Sequence, residues 1–142
     1  ISGQAIALRD LERKEIRIGR ELGLRVLEAL GFESGMSHME WFRNAAGEAV
    51  FGEIGGRAPG GRLTHVMNYA CDFDVWAAWA EAVVHGRISQ KIERKYNAGI
   101  IFKRARGEGR IQRIEGVERI AREFGEALVC VDLLHVGAPR RD

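Results

Sequence analysis

Gly35-Met36-Ser37-His38-Met39-Glu40-Trp41-Phe42-Arg43, then Asn44-Ala45-Ala46-Gly47, then Glu48-Ala49-Val50-Phe51-Gly52-Glu53-Ile54 is the stretch on which the fold turns. Two β-prone runs flank an Asn/Gly turn, the pattern of an antiparallel hairpin. A Gly/Pro loop follows, and residues 52–61 hold five glycines in ten positions. Upstream, Leu11, Ile18, Leu22, Val26 and Ala29/Leu30 recur at three- and four-residue steps. That spacing predicts one amphipathic helix over residues 10–30, with Asp10 as N-cap and Gly31 as C-cap. Downstream the pattern predicts a short helix at 64–69 and a firmer one at 73–85 capped by Asp72 or Asp74. It then predicts strands at 96–105 and 110–114, a helix at 117–124 and a strong strand at 127–134. The fold class is α+β, divided into residues 1–90 and a smaller subdomain at 91–142.

Composition bounds the rest. The chain has 142 residues, 46% hydrophobic and 30% charged, as a folded globular chain requires. Its net charge of +2 lacks the basic excess of a dedicated nucleic-acid binder. No apolar run reaches membrane-spanning length and the start does not read as a secretory signal. Cys71 and Cys130 lie far apart, outside any metal-ligand spacing; one disulfide is arithmetically open, and reduced, buried thiols in a cytoplasmic setting are the expectation. The absence of an initial Met and the bare end after residue 134 raise the expectation of a fragment.

Two carboxylates stand out. Glu40 lies between Met39 and Trp41, and Glu53 between Gly52 and Ile54. Paired residues of an antiparallel hairpin have a constant index sum. A two-residue loop at 46–47 makes Glu40 and Glu53 direct partners, and a four-residue loop at 44–47 makes them diagonal neighbours. A three- or five-residue loop puts them on opposite faces. On one face, ~5 Å apart, they repel by about 3 kcal/mol at an effective dielectric near 20. A shared proton, nearby arginines or a bound cation offsets that. Carboxylates beside a phosphate suit Mg²⁺. The glycines let backbone N–H groups approach an anion, and Arg57 and Arg62 add positive charge. Spacing alone is equally compatible with two solvated acids before a flexible loop.

The order Gly35 to Phe42, Gly47, then Glu53-Ile54-Gly55-Gly56-Arg57-Ala58-Pro59-Gly60-Gly61 resembles the C-terminal half of ATP-grasp ligases, over about residues 20–86. The resemblance implies an antiparallel sheet with flanking helices. It also implies Mg²⁺ (or Mn²⁺) held by Glu40 and Glu53, and ATP phosphates met by Gly55, Gly56 and Arg57. It further implies a catalytic role for Arg57, supporting the transferring phosphate or the substrate carboxylate. The family's asparagine position is Gly55, which removes one side-chain oxygen. Residues 96–134 resemble, more loosely, the β-rich C-terminal subdomain of the L-amino-acid ligase and biotin-carboxylase-like branches. The implied reaction is ATP-dependent joining of a small carboxylate to an amine through an acylphosphate.

In that family a second subdomain supplies phosphate-binding lysines. Here Lys14, Lys91, Lys95 and Lys103 are the only lysines, and none lies in a Gly-rich turn. The expectation is a ligase piece, inactive without its N-terminal ATP-grasp subdomains, with a homodimer as one assembly the reading leaves open. The alternative reading is a non-catalytic α+β module binding RNA or an acidic partner through Arg104, Arg106, Arg110 and Arg113.

Overall fold

The computed structural model describes residues 2–140. It is an α+β structure with two small antiparallel sheets and four helices of regular length. The residues form two compact units, one spanning 4–101 and the other made by the rest.

Helix α1 runs Lys14–Ala29. It starts later than the periodicity predicts because Asp10 is used otherwise: its carboxylate accepts the Glu12 N–H in a local turn. Arg13 opens the helix without a side-chain cap. The far end follows expectation. Phe32 N–H returns to the Leu27 carbonyl and Gly31 N–H to that of Glu28, both at 3.0 Å. Gly31 has φ +62°, so this is a glycine-terminated Schellman motif.

The hairpin consists of β2, His38–Arg43, and β3, Ala49–Gly55, and α1 packs on both strands. The seat is made of glycine. Gly19 is the buried residue of α1, and a methyl built there would overlap the Trp41 ring. One turn on, a methyl at Gly23 would lie 3.3 Å from Met39 Cε. Residues i and i+4 share a helix face, so the two glycines form a shallow groove that receives alternate side chains of β2.

Helices α2, Leu63–Cys71, and α3, Val75–His85, pack together and, among the described residues, hold most of the buried side chains: Thr64, Val66, Ala70, Cys71, Val75 and Ala78. Of the two candidate caps, Asp74 accepts the Trp76 and Ala77 N–H groups. Asp72 ends α2 in a left-handed conformation and pairs with Lys95 at 2.8 Å. That hydrogen bond holds the Lys95 ammonium above its ordinary range. Gly86 closes α3 at φ +64°. The second sheet pairs β4, Ala98–Lys103, with β1, Ser2–Ala7, a strand the sequence reading does not identify; residues 4–7 and 98–101 of the two belong to this unit.

The smaller unit departs from expectation. Helix α4, Val117–Phe124, stands where the sequence places it. The predicted strand at 110–114 shrinks to a single bridge, Arg110 to Pro139. The predicted strand at 127–134 is not a strand. A 3-10 turn at Gly125–Ala127 captures the Leu128 N–H, and Val129, Val131 and Leu133 stay exposed. An apolar alternating run satisfies only the side-chain half of a strand; the backbone half needs a neighbouring ladder, and among the described residues none is offered. Among the described residues this unit contributes to β-structure only the ends of β1 and β4 and one bridge, where the resemblance implies a β-rich subdomain. Both cysteines are free, Cys71 buried and Cys130 exposed. Among the described residues no helix is long and apolar enough to cross a membrane.

Gly19→Ala is expected to lower unfolding free energy in urea by about 1–3 kcal/mol, as overpacking against Trp41 outweighs a helix-propensity gain of about 1 kcal/mol. Gly23→Ala meets only the end of a flexible Met39 and is expected to be neutral or slightly stabilising. Equal stability of Gly19→Ala and the parent protein would refute the groove as the seat of the hairpin.

Candidate functional site

Glu40 and Glu53 are direct cross-strand partners. The route to that pairing differs from the one the spacing suggests. Gly47 N–H bonds to the Asn44 carbonyl, and Asn44 N–H bonds to the Glu48 carbonyl, both at 3.0 Å. Asn44 Oδ1 also accepts the Glu48 N–H, and Gly47 has φ +85°. This is a three-residue loop, a tight turn followed by a left-handed glycine. It sets the partners Arg43–Ala49, Phe42–Val50 and Trp41–Phe51. Continued unbroken, that register would put Glu53 opposite Met39 and leave the two acids on opposite faces. A bulge intervenes between Glu40 and Trp41: Gly52 is passed over and the ladder resumes as Glu40–Glu53, Met39–Ile54 and His38–Gly55. Two odd offsets cancel.

The two faces of the hairpin differ sharply. Met39 and Trp41 point at α1. The other face carries His38, Glu40 and Phe42 of β2 with Val50, Glu53 and Gly55 of β3, by alternation and register. Glu40, Glu53, Phe42 and Val50 are all exposed. Direct partners have Cβ atoms roughly 4.5–5.5 Å apart, so the carboxylates can converge on one ligand. Water screens their repulsion below the interior value, without removing it.

Arg57 joins this face. A methyl at Gly55 would meet Arg57 Cγ at 3.4 Å and Nε at 3.5 Å, so the arginine stem lies over Gly55, two positions from Glu53. Its guanidinium donates to the Ala58 carbonyl at 3.0 Å. Gly56 turns the other way, toward the Phe32 ring at 3.4 Å. The structure therefore brings together Glu40, Glu53, Gly55 and Arg57, and sets Gly56 against the helix-side loop. His38 shares the face and is half-buried. It does not complete a ligand set: among the described residues no three His, Cys, Asp or Glu side chains are grouped to hold a metal ion. Beyond the loop, Gly61 and Arg62 both take left-handed conformations before α2.

Glu40 and Glu53 lie open to solvent. Two concavities elsewhere, about 210 Å³ at Leu8, Arg9, Asp10, Arg13 and Asn97 and about 150 Å³ at Glu81, His85, Arg87 and Ser89, include none of these residues. In the second, Ser89 donates through its N–H and hydroxyl to Glu81, which holds that carboxyl below its ordinary range. The four arginines of the alternative reading are exposed. Arg110 donates to the Gly137 carbonyl at 2.7 Å and Arg113 pairs with Glu115 at 3.1 Å, so two of them are committed to local contacts. No family model, curated protein or solved structure matches the chain.

The residue that sequence reasoning missed is Gly52. An isolated glycine inside a strand pattern is the available signal for a bulge.

Like charges directly opposite on a sheet are destabilising. Glu40→Gln or Glu53→Gln is expected to raise stability in metal-free buffer by about 0.2–1 kcal/mol, with the gain shrinking in 1 M salt as the Debye length falls to ~3 Å. Thermal melts at two salt concentrations check it. A loss of stability in either variant would show that the pair is already compensated.

Proposed function

We propose that the open hairpin face binds a divalent cation and the phosphates of a nucleotide, as the acidic half of an ATP-grasp carboxylate–amine ligase. One observation carries the reading: Glu40 and Glu53 oppose each other on an exposed face that also bears Arg57 and begins a glycine-rich loop.

The donor set fits Mg²⁺ or Mn²⁺. Both are hard cations that take carboxylate oxygens and fill their remaining positions with phosphate and water. Two facing carboxylates are enough for such a site, and Gly55 adds no side-chain oxygen. Glu40 and Glu53 would hold the cation, which would supply neutralisation of charge on phosphate oxygens and would relieve the repulsion between the two acids. Arg57 presents N–H donors beside the pair, suited to a phosphate or a substrate carboxylate. Main-chain N–H groups of the loop after Glu53 supply further donors, since glycine lets backbone come close to an anion.

In the proposed reaction a substrate carboxylate oxygen attacks the γ-phosphorus of ATP and ADP leaves. The amine nitrogen then attacks the acyl carbon, phosphate departs and the nitrogen loses its proton. None of these steps needs a side-chain nucleophile, and this face offers none. The substrates are a small carboxylate and an amine, and the opposite wall is assigned to N-terminal ATP-grasp subdomains. The chain by itself is accordingly expected to bind without turning over.

An Mn²⁺ titration of the 142-residue chain with ADP, followed by electron paramagnetic resonance, tests the site. Glu40→Gln and Glu53→Gln are each expected to weaken Mn²⁺ binding by at least ~10-fold while leaving the far-UV circular dichroism unchanged, because each removes half the protein donor set. Parent protein that leaves Mn²⁺ free, or variants that bind it equally well, would refute the reading. Steady ATP hydrolysis by the chain alone would refute the assignment of a missing wall.

A further inference from the structure

The two acids face each other only because the hairpin's parity is corrected between the turn and the site. The turn at residues 44–48 sets partners whose indices sum to 92, and the pairs from Glu40 outward sum to 93. Gly52 is the one residue inserted between the two registers. Its conformation is not left-handed, so backbone freedom is not what selects glycine here. Space is. A methyl on Gly52 would sit 2.9 Å from the Glu40 carbonyl oxygen and 3.1 Å from Phe42 Cε2. The first of these is a backbone atom of the residue whose side chain is at issue.

Resting on the metal-site reading above, we propose that Gly52 is a positioning residue: its bulge delivers Glu53 to the face of Glu40, and only a residue without Cβ lets the two strands close around it. The alternative register costs the fold as well. With Glu53 opposite Met39, a carboxylate would be directed at α1 and Ile54 would be directed at solvent. A bulge is a recognised way to re-aim a side chain beside a site.

Parity gives the proposal a test that separates position from mere stability. Deleting Gly52 removes the extra residue, so the 92 register then pairs Glu40 with Glu53 directly. Replacing Gly52 keeps the extra residue but gives it a methyl that the Glu40 carbonyl obstructs. Mn²⁺ titrations are run on the parent chain, on Gly52→Ala and on the Gly52 deletion, with circular dichroism and thermal melts alongside. The expected order is parent and deletion within about threefold of each other, and Gly52→Ala weaker by ~10–100-fold, the range for residues that orient metal ligands. Gly52→Ala that binds like the parent overturns the proposal. So does a folded deletion variant that binds as poorly as Gly52→Ala. If Gly52→Ala does not fold, the deletion decides alone, since its binding is expected to survive. Failure of the parent chain to bind Mn²⁺ overturns the site itself, an outcome distinct from either.

Discussion

The Trp41 ring resting on the bare backbone of Gly19 is the contact from which the larger unit is organised. A helix and a two-stranded hairpin are each unstable alone in water. They gain stability here by sharing one apolar layer, and the depth of that layer is set by how closely Trp41 can approach α1. Two glycines at helical spacing cost propensity, roughly 1 kcal/mol apiece against alanine. They return it as close packing of a large aromatic side chain and of Met39. The same contact has a second effect. Once Trp41 and Met39 are committed to the helix, alternation leaves Glu40 no choice but the open face.

Glu53 is under no such direct constraint, and its placement follows from counting. Ile54 belongs beside Met39 on the helix side, and Phe51 is the partner of Trp41 on that side too. Strict alternation cannot put both residues 51 and 54 on one face. The bulge at Gly52 resolves the conflict by spending one residue out of sequence with the pleat. Apolar burial and acid placement are thus satisfied by one local irregularity.

Much of this was legible in the sequence, and the failures have physical causes. The helix periodicity, the terminating glycine at position 31, the narrowing of the α3 cap to Asp72 or Asp74, and α4 could be read because each depends on residues within a turn or two. The sequence leads to the pairing of Glu40 with Glu53 only through an even loop, whereas the protein uses an odd loop and a bulge. Asn44 and Gly47 hold the clue to the first: a turn start followed three residues later by a glycine is the signature of the three-residue loop. The departure at 127–134 is of another kind. Val129, Val131 and Leu133 carry the side-chain pattern of a strand, but pairing is a non-local property, and the run does not contain its partner. β1 escaped notice for the converse reason. Its Gly, Gln and Ala residues are poor strand formers, and it is held in place by its ladder with β4.

The division of labour between the two faces explains why the acids can be tolerated. Residues that stabilise the hairpin, Trp41, Met39 and Ile54, sit against α1, whereas Glu40, Glu53 and the Arg57 stem lie on the open face. A like-charge pair in an apolar layer would unfold the hairpin; on an exposed face it costs a fraction of that. Exposed Phe42 and Val50 lie on the same face, beyond the acids toward the turn. The open surface therefore grades from anionic, with an adjacent arginine and glycines, to apolar along a few residues of two strands. Such a face is suited to a ligand that is charged at one end and apolar at the other.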